Sequence, residues 1–503
     1  MAGTGRDTPR ILIVTPEITS LPPGMGKGAE TVAAKAGGMA DVSAGLISAL
    51  FELGADVHLA LPNYRRLFNV EVQILVNSAL REYKSTLKES RIHLAEDRVF
   101  YYRDSVYGSE GRYDPRFSLV FQREVINNII PRVDPDLIHC HDWMTGFIPP
   151  MARRMEIPCL QTVHNIHTYE ILLEEIEDIG IDAMEFWPYL YYSLFPAGYE
   201  ESRSTNPVDF LASGIFASHF VNTVSPTFLR EIVDGAHDFV PQNIRREIRN
   251  KADAGCAVGI LNTPPREYNP ATDVLIEKRF SAEDHEQAKR VNKRALQLVL
   301  NMEPNAAAPL FFWPSRLDPY QKGPELMADI LRDVMFAYHG DDLQVAIVAD
   351  GPFRRNFLDL VANHGLSGRV GISRFDERLS HLGYAGSDFV LMPSRFEPCG
   401  LPQMVGALYG ALPVVRDTGG LHDTVRHLNV AENAGNGFVF ETYDSNGLRW
   451  AIDRAMEFHK LPSNVKRSQV TRVMTEAARD FAFDVSAKQY FDLYERMLAR
   501  PLL

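Results

Sequence analysis

The sequence predicts an α/β protein built from two doubly wound parallel sheets. Short apolar runs, such as ILIV at 11–14 and FVLM at 389–392, recur along the chain, and a polar or glycine-containing turn and a helical segment follow them. Short buried strands that alternate with helices are typical of parallel sheets covered on both faces. With 503 residues, the chain is long enough for two such domains. A ligand site is therefore expected at the carboxyl ends of the strands.

Composition argues against several classes of partner. The formal net charge is −13, whereas nucleic acids and anionic membranes attract basic surfaces, so neither partner is expected. The four cysteines are few for the length and have no paired spacing, which favours a reducing cytoplasm over a disulfide framework. The sequence predicts no signal peptide and no membrane span, and it specifies no oligomeric state.

The most distinctive stretch, residues 393–425, reads PSRFEPCGLPQMVGALYGALPVVRDTGGLHDTV. An apolar strand enters a tight turn that carries the acid Glu397, and Pro402 suits the first turn of a helix ending near Gly410. A second strand, ALPVV, then leads into Thr418-Gly419-Gly420. The pattern alone fits equally well an ordinary α/β unit in which an acidic residue happens to lie in a turn.

The sequence of this stretch resembles the donor-binding signature of bacterial glycogen synthases and plant starch synthases, which are retaining glucosyltransferases. The resemblance implies the GT-B architecture, two Rossmann-like doubly wound domains facing a central cleft, with a C-terminal helix that crosses back to the first domain. It predicts an acceptor-side domain over residues 1–265, a nucleotide-sugar-binding domain over 275–480 and the returning helix over 481–503. Val405 stands where small-acceptor branches of this fold often carry a second glutamate, as expected for the synthase branch.

The first strand, Arg10 to Thr15, is not followed by the Gly-x-Gly-x-x-Gly of nicotinamide enzymes, which argues against a dinucleotide oxidoreductase. An insertion of about a dozen residues after Glu17 is interpreted as a surface loop or lid. The octet KAGGMADV at 35–42 then resembles the synthases' Lys-x-Gly-Gly-Leu-Ala-Asp-Val loop. Its glycines let backbone N–H groups approach a phosphate, although a helix N-terminus with a solvated lysine is the alternative. The binding residues predicted in this loop are Lys35, Gly37, Gly38 and Asp41.

Two further segments of the first half carry polar side chains at strand ends. His139 and His141 in HCHDW share a strand face with no third ligand nearby in sequence, so no metal site is expected. The segment resembles the family's His-Asp-Trp motif, which implies that Asp142 and Trp143 line the sugar side of the cleft. The next strand ends in His164-Asn165 and resembles the Thr-x-His-Asn motif, whose histidine lies next to the transferred glucose. A purely structural histidine is the alternative.

Less distinctive segments separate these motifs. The alternating runs VEVQILV, RVFYYRD and FSLVF, between about 70 and 121, predict strands and hairpins added to the sheet. Residues 168–206 are acidic and aromatic, and either an acceptor-facing cover or a helical hairpin packed by its own aromatic rings fits them.

The second half opens with a helix predicted over about 282–301 and a strand, LFFWPS, that leads to SRLDPYQKG. This segment resembles the family's Ser-Arg-Leu…Gln-Lys-Gly, in which Arg316 and Lys322 would clamp the donor diphosphate. The spacing is one residue longer than usual, and two exposed cations on a loop are the alternative.

The resemblance implies transfer of glucose from ADP-glucose to the non-reducing 4-OH end of an α-1,4-glucan, with neither a metal ion nor a cofactor. One alternative is a retaining enzyme of the same fold that acts on a small sugar or a cell-surface glycan. Another is a catalytically weak, glucan-binding paralogue, suggested by the altered crossing Thr263-Pro264-Pro265 and the longer Arg–Lys loop. The predicted catalytic residues are Glu397, His164, Arg316 and Lys322, and further predicted substrate contacts are Asp142, Trp143, Asn165, Cys399, Gly400, Leu401, Thr418 and Gly419.

Overall fold

The computed structural model describes residues 8–26, 29, 31–68, 91–106 and 115–503, and the chain divides into two compact units. The first unit runs to Leu261 and also includes Phe483–Leu503, while the second comprises Asn262–Ala482. Residues 266–274, which the sequence left between its two predicted domains, thus belong to the second unit. Within the described residues, no helix combines the length and the apolar character needed to cross a membrane.

The larger sheet of the first unit has parallel strands in the order β3-β2-β1-β4-β5-β8-β9. The strand order reverses between β1 and β4, and the carboxyl ends next to such a reversal are where doubly wound sheets bind ligands. Strands β6 and β7 form a separate antiparallel pair. In chain order the strands are β1 Arg10–Val14, β2 Asp56–Pro62, β3 Ile92–Ala95, β4 Leu137–His141, β5 Cys159–Val163, β6 Glu170–Ile171, β7 Val208–Asp209, β8 Phe220–Thr223 and β9 Ala257–Gly259.

Helices cover this sheet, and the C-terminal helix Phe483–Leu498 returns to it. This helix packs on Gly38–Glu52 so closely that a Cβ at Gly45 would lie 1.7 Å from Cε1 of Phe483, so any larger residue there would force the Phe483 ring to move. The α-helices of the unit are Gly38–Glu52, Arg98–Tyr101, Pro115–Glu124, Ile130–Val133, Ile148–Arg154, Leu173–Asp178, Tyr199–Thr205, Phe210–Ala217, Pro226–Asp234, Gln242–Asp253 and Phe483–Leu498, with a π-helical segment at Val125–Ile129 and 3₁₀ turns at Trp143–Thr145, Ala183–Glu185 and Trp187–Tyr189.

Part of the strand prediction between 70 and 121 is wrong. RVFYYRD begins with the helix Arg98–Tyr101, which the side chain of Asp97 caps by accepting from the N–H of Val99. FSLVF lies in the helix Pro115–Glu124, whose residues 117–122 are all buried. A short apolar run buried on every side looks alike in a strand and in a core helix, which explains the error at FSLVF. VEVQILV lies outside the described residues.

The insertion after Glu17 is not simply a surface loop. Ile18 and Ala34 pair through two backbone hydrogen bonds, so the segment leaves and returns at one point. Leu21, Met25 and Val32 within it are buried in the core of the first unit. In the region 168–206, Trp187 and Tyr199 lie with their rings 6.2 Å apart between short helices, which fits the hypothesis of a segment packed by its own aromatic rings.

The sheet of the second unit is also parallel, in the order β12-β11-β10-β13-β14-β15, with its reversal between β10 and β13. The predicted fold class of doubly wound parallel sheets is thus confirmed in each unit. The strands are β10 Leu310–Trp313, β11 Gln344–Val348, β12 Val370–Ser373, β13 Phe389–Met392, β14 Leu412–Arg416 and β15 Phe438–Phe440. The helices are His285–Val299, Pro324–Ala337, Arg354–His364, Glu377–Gly386, Pro402–Leu408, Gly419–Thr424, Ser445–His459 and Ser463–Asp480, with a 3₁₀ turn at His339–Asp341.

A buried polar cluster fastens the segment before the first helix of this unit. The carboxylate of Asp273 lies 2.7 Å from Nδ1 of His381 and accepts a hydrogen bond of 2.6 Å from the hydroxyl of Tyr409. Tyr268 stacks on His381 with ring centroids 4.1 Å apart. These contacts attach the crossing segment to the second unit, in agreement with its assignment to that unit.

Candidate active site

The glycine loop of the first unit is held by Glu17, which follows β1. Oε2 of this buried carboxylate accepts hydrogen bonds from the N–H groups of Ala36 at 2.6 Å and Gly37 at 2.9 Å. The amide of Gly37, which the resemblance assigns to the diphosphate, is therefore committed to Glu17 in this structure. Nζ of Lys35 lies 2.9 Å from Oδ2 of Asp41, and the lysine side chain is 46% exposed. Lys35, just before the helix Gly38–Glu52, is thus accessible to solvent, and its ammonium group is paired with Asp41.

Asp142, directly after β4, has a strained backbone. Its φ of 54° and ψ of −172° lie in a region that glycine normally occupies. Hydrogen bonds hold it there: its N–H donates to the carbonyl of Thr162, and its carbonyl accepts from Gln161 and Thr145, while Oδ1 accepts from the N–H groups of His164 at 2.6 Å and Asn165 at 3.2 Å. This strained conformation places the carboxylate of Asp142 against the backbone N–H groups that follow β5.

Three stacked imidazoles, here called the histidine ladder, lie beneath this turn: His139, His141 and His164. The ring centroids of His139 and His141 are 4.3 Å apart, and those of His141 and His164 are 5.2 Å apart. Nδ1 of His141 lies 2.9 Å from Nε2 of His164. Nδ1 of His139 lies 2.7 Å from the hydroxyl of Tyr494 on the C-terminal helix, and its Nε2 lies 2.7 Å from the hydroxyl of Thr162.

Burial determines the protonation state of the three histidines and of Asp142. It lowers the pKa of His139 and of His164 to about 3, and it holds the pKa of His141 well below its usual range. The ladder is therefore neutral near pH 7. Burial also raises the pKa of Asp142 to about 7, although the N–H groups of His164 and Asn165 oppose the rise by stabilising the carboxylate.

Across the described residues, no group of three or more His, Cys, Asp or Glu side chains is arranged to hold a metal ion. The role expected for Trp143, by contrast, needs correction. Its indole packs against Tyr169 and Phe210, with ring centroids 5.2 and 5.6 Å away, and is 3% exposed. Because neighbouring rings cover the indole, Trp143 supports the turn from within the core rather than offering a face to a sugar.

The second unit brings Lys322 and Glu397 together. Nζ of Lys322 lies 2.6 Å from Oε2 of Glu397, which also accepts a hydrogen bond of 3.1 Å from the hydroxyl of Ser394. The side chains are only 12% and 6% exposed, so the charges are shielded from water. Arg316, the other predicted cation, is exposed. The structure thus separates the predicted clamp into a buried lysine paired with the candidate acid and an arginine in solvent.

The extra residue in the Arg–Lys loop does not turn Lys322 into solvent. The N–H of Arg395 donates to the carbonyl of Gln321 at 2.8 Å, which ties this loop to the turn after β13. Gly323, with a φ of 68°, approaches that turn so closely that a Cβ would lie 2.2 Å from the carbonyl oxygen of Pro393. Only glycine permits this contact, and the contact places Lys322 beside Glu397.

The turn from Cys399 to Leu401 is organised by a residue that the sequence analysis did not single out. Nε2 of the buried Gln403 donates to the carbonyls of Cys399 at 3.2 Å and Gly400 at 2.9 Å. Gly400 has a φ of 75°, which explains the glycine, and Leu401 precedes the first turn of the helix Pro402–Leu408, as predicted. Burial raises the pKa of the Cys399 thiol to about 12, so this sulfur is neutral.

The glycines after β14 lie against the same turn. A Cβ on Gly420 would lie 2.1 Å from the carbonyl oxygen of Cys399, and the N–H of Gly420 donates to the carbonyl of Glu397 at 2.9 Å. Thr418 precedes the short helix Gly419–Thr424, and Gly419 has a φ of 46°. The ends of β13 and β14 therefore form one rigid backbone surface around Glu397.

Sequence reasoning assigned no role to Glu17, Ser394 or Gln403, and it considered His141 only as a metal ligand. Glu17 and His141 had a usable signal, because each is a polar residue at the carboxyl end of a parallel strand near the reversal of strand order. Ser394 and Gln403 had none, since a serine in a turn and a glutamine in a helix are ordinary there.

Comparison with known proteins gives the family of the chain. Residues 10–243 match the family described as the starch synthase catalytic domain, and residues 303–469 match glycosyl transferases group 1. Glycogen synthase of Geobacillus thermodenitrificans is 30% identical, over 93% of this chain and 96% of the relative, and that of Exiguobacterium sibiricum is 32% identical over 92% and 96%.

The solved structures show the same likeness. The catalytic domain of starch synthase IV from Arabidopsis thaliana, bound to ADP and acarbose, aligns with 98% of this chain and 100% of its own at 26% identity and a TM-score of 0.77. Sucrose-phosphate synthase from Thermosynechococcus elongatus, at 17% identity and a TM-score of 0.59, shares the fold. The sequence and fold comparisons agree, and this chain belongs to the glycogen synthase family of glycosyltransferases.

Proposed function

We propose that this chain transfers glucose from ADP-glucose to the non-reducing 4-OH end of an α-1,4-glucan with retention of configuration. The observation that carries the proposal is the shielded pair of Lys322 and Glu397, 2.6 Å apart where the turn after β13 meets the Arg–Lys loop. The solved relative described as bound to ADP supports an adenine nucleotide as the leaving group.

The departing diphosphate is stabilised by cations of the protein. Arg316, exposed in solvent, and Lys322 supply charge-assisted hydrogen bonds that strengthen as the leaving group gains charge. Lys35, 46% exposed, adds a third cation. Three cations take the electrostatic part that a divalent metal has in other enzymes, so the proposed reaction uses no metal ion and no cofactor.

Glu397 stabilises the positive charge that develops at the anomeric carbon and accepts hydrogen bonds from the glucose hydroxyls. Its pairing with Lys322 and Ser394 holds the carboxylate in one orientation, which is the preorganisation that electrostatic stabilisation requires. As the diphosphate forms, Lys322 is shared between Glu397 and the leaving group. Retention without an evident carboxylate nucleophile fits front-face attack by the acceptor as the diphosphate departs.

Residues of the first unit position the sugars in this proposal. His164 and Asn165 lie at the end of β5, where Oδ1 of Asp142 receives both of their N–H groups. Among the described residues the structure gives Oδ2 of Asp142 no partner, and we assign that oxygen to an acceptor hydroxyl. A cytoplasmic location completes the proposal, supported by four cysteines that are all free thiols.

The test measures nucleotide release by the full-length protein from ADP-glucose and from UDP-glucose, with and without glycogen. We expect ADP release that depends on glycogen, together with lengthening of the α-1,4 chains. Glu397→Gln, incubated under the same conditions, is the control for contaminating activity.

Other outcomes support the alternatives. Release from UDP-glucose alone would overturn the donor assignment. Release that needs a small sugar instead of glycogen would favour a small-acceptor enzyme. Binding of glycogen with no release from either donor would identify a glucan-binding paralogue.

A further inference from the structure

The hydrogen bond between His141 and His164 has only two possible arrangements. His141 is buried and His164 is half-buried; both rings are neutral, and a neutral imidazole carries one N–H and one lone pair. Across the 2.9 Å between Nδ1 of His141 and Nε2 of His164, one nitrogen must therefore donate and the other accept. This choice also determines whether the other nitrogen of each ring carries a proton.

In the first arrangement His141 donates from Nδ1, and its Nε2 is a bare lone pair. In the second, His164 donates from Nε2, and Nε2 of His141 must carry the proton. That nitrogen is buried and has no hydrogen-bond partner among the described residues. Buried N–H groups without a partner are rarer in proteins than buried acceptors without one, so burial favours the first arrangement.

We propose that His141 is a positioning residue that holds His164 in the Nδ1–H tautomer, so that His164 presents an N–H donor to an oxygen of the transferred sugar. Two consecutive residues at the end of β4 then orient His164: Asp142 holds its backbone N–H and His141 holds its ring. The stack of His139 on His141, with centroids 4.3 Å apart, keeps the ring of His141 in the plane that this bond needs.

The ladder is itself anchored from the C-terminal helix. The hydroxyl of Tyr494 lies 2.7 Å from Nδ1 of His139, and the hydroxyl of Tyr490 accepts from Asn222, which also donates to Thr162. Thr162 in turn lies 2.7 Å from Nε2 of His139. Both nitrogens of His139 are thus occupied, so this ring supports His141 by stacking.

The direct test is the tautomer of His164 in the full-length protein labelled with ¹⁵N-histidine. Long-range ¹H–¹⁵N correlations distinguish Nδ1–H, Nε2–H and doubly protonated rings, and loss of a signal in His164→Gln or His141→Phe assigns each ring. We expect Nδ1–H at both positions. An Nε2–H or charged His164 in the wild type overturns the inference.

Two substitutions separate the hydrogen bond from the packing. His141→Phe keeps a stacked ring and removes the donor, whereas His141→Asn places an amide N–H near the position of Nδ1. In His141→Phe we expect His164 to lose its preference for Nδ1–H and kcat to fall about tenfold or more with donor KM nearly unchanged, the usual pattern for one misdirected donor. In His141→Asn we expect the tautomer to persist and most of kcat to return.

The same unit offers a matched control in His58 and His93. Nδ1 of His58 lies 2.9 Å from Nε2 of His93, and their rings stack at 5.2 Å, the same geometry away from the predicted site residues. His58→Phe should lower stability, because it also removes the contact of Nε2 with Oδ1 of Asp56 at 3.2 Å, but leave kcat at the wild-type value. Equal losses of kcat in both variants would show a general structural effect and overturn the inference.

The activity arm rests on the proposed function, but the tautomer arm does not. If no donor and acceptor pair gives transfer, the proposed function fails while the spectrum still decides the tautomer. If His141→Phe changes the tautomer of His164 and leaves kcat unchanged, the positioning role is overturned and the proposed function stands.

Discussion

Lys322 and Glu397 lie 75 positions apart in the chain, and Nζ of the first is 2.6 Å from Oε2 of the second. Their side chains are only 12% and 6% exposed, so water could hardly solvate the charge that remains if either residue is replaced. The pair therefore joins two roles that the sequence analysis had treated separately, the clamp of the leaving group and the stabilisation of the reacting sugar.

The first prediction concerns Glu397→Gln. The substitution keeps the shape of the side chain and removes its charge, so donor binding should persist while kcat falls by roughly 10²–10³-fold, the usual loss for one electrostatic stabiliser. Because Lys322 is then released toward the diphosphate, donor KM should stay equal or decrease. Steady-state kinetics and calorimetric titration with ADP measure both effects. Turnover within threefold of the wild type would remove Glu397 from the mechanism.

The second prediction separates stability from activity at the two cations. Lys322→Met leaves the carboxylate of Glu397 shielded and unpaired, which should cost about 3 kcal/mol in the free energy of unfolding, and the double variant with Glu397→Gln should recover most of it. Arg316→Met alters an exposed side chain, so the free energy of unfolding should stay within about 0.5 kcal/mol. Its kcat/KM should nevertheless fall about a hundredfold. Urea unfolding measures the stability of both variants, and donor kinetics measure their activity. A Lys322→Met variant that is inactive but as stable as the wild type would contradict the predicted stability loss.

The distances between these residues explain what the sequence could and could not predict. Each strand end that carries a site residue was identified locally, because an apolar run followed by a turn and a helix is visible within about a dozen residues. The contact of Lys322 with Glu397 depends on how two separate loops approach, and only the tertiary structure defines that. The same holds for His141 and His164, which meet across two strands.

The errors have the same physical origin. The runs at 98–104 and 117–121 alternate over too few residues to distinguish a strand from a helix; residues 98–101 of the first run and all of the second proved helical. Trp143 was expected to line the sugar side of the cleft because HCHDW resembles the family's His-Asp-Trp motif. The strained backbone of Asp142 instead directs the indole into the core, a geometry that no local pattern indicates.

The third prediction is that exhaustive chelation leaves turnover unchanged, because Arg316, Lys322 and Lys35 take the electrostatic part of a metal ion. The assay compares glycogen-dependent ADP release before and after dialysis against EDTA. Restoration of a lost activity by Mg²⁺ or Mn²⁺ would contradict it.

The fourth prediction concerns pH and His139. Burial lowers the pKa of His139 from 6.5 to about 3 in the folded chain, so between these values the unfolded chain binds one proton more. Stability therefore falls as the pH decreases below 6.5, by about 1.4 kcal/mol per pH unit for this residue. In His139→Gln the slope of unfolding free energy between pH 6.5 and 5 should be smaller by that amount, whatever the absolute stability. An unchanged slope in His139→Gln would contradict the prediction.

The fifth prediction tests the rigid surface around Glu397 through Gly420. A Cβ at this position would lie 2.1 Å from the carbonyl oxygen of Cys399 and 2.4 Å from its Cα, and neither backbone atom can rotate away. Gly420→Ala must therefore separate the ends of β13 and β14 and break the 2.9 Å hydrogen bond from the N–H of Gly420 to the carbonyl of Glu397.

We expect Gly420→Ala to lose about 1–3 kcal/mol of stability, the usual cost of overpacking, with a fall in kcat/KM that exceeds the stability loss because Glu397 moves with its turn. Gly340→Ala is the matched control, since a Cβ there meets nothing within 4 Å. It should be neutral or stabilise the fold by a few tenths of a kcal/mol, since alanine restricts the unfolded chain. Unfolding and donor kinetics of both variants give the comparison. If Gly420→Ala matched Gly340→Ala in both measurements, the two strand ends would not form the single surface on which the placement of Glu397 depends.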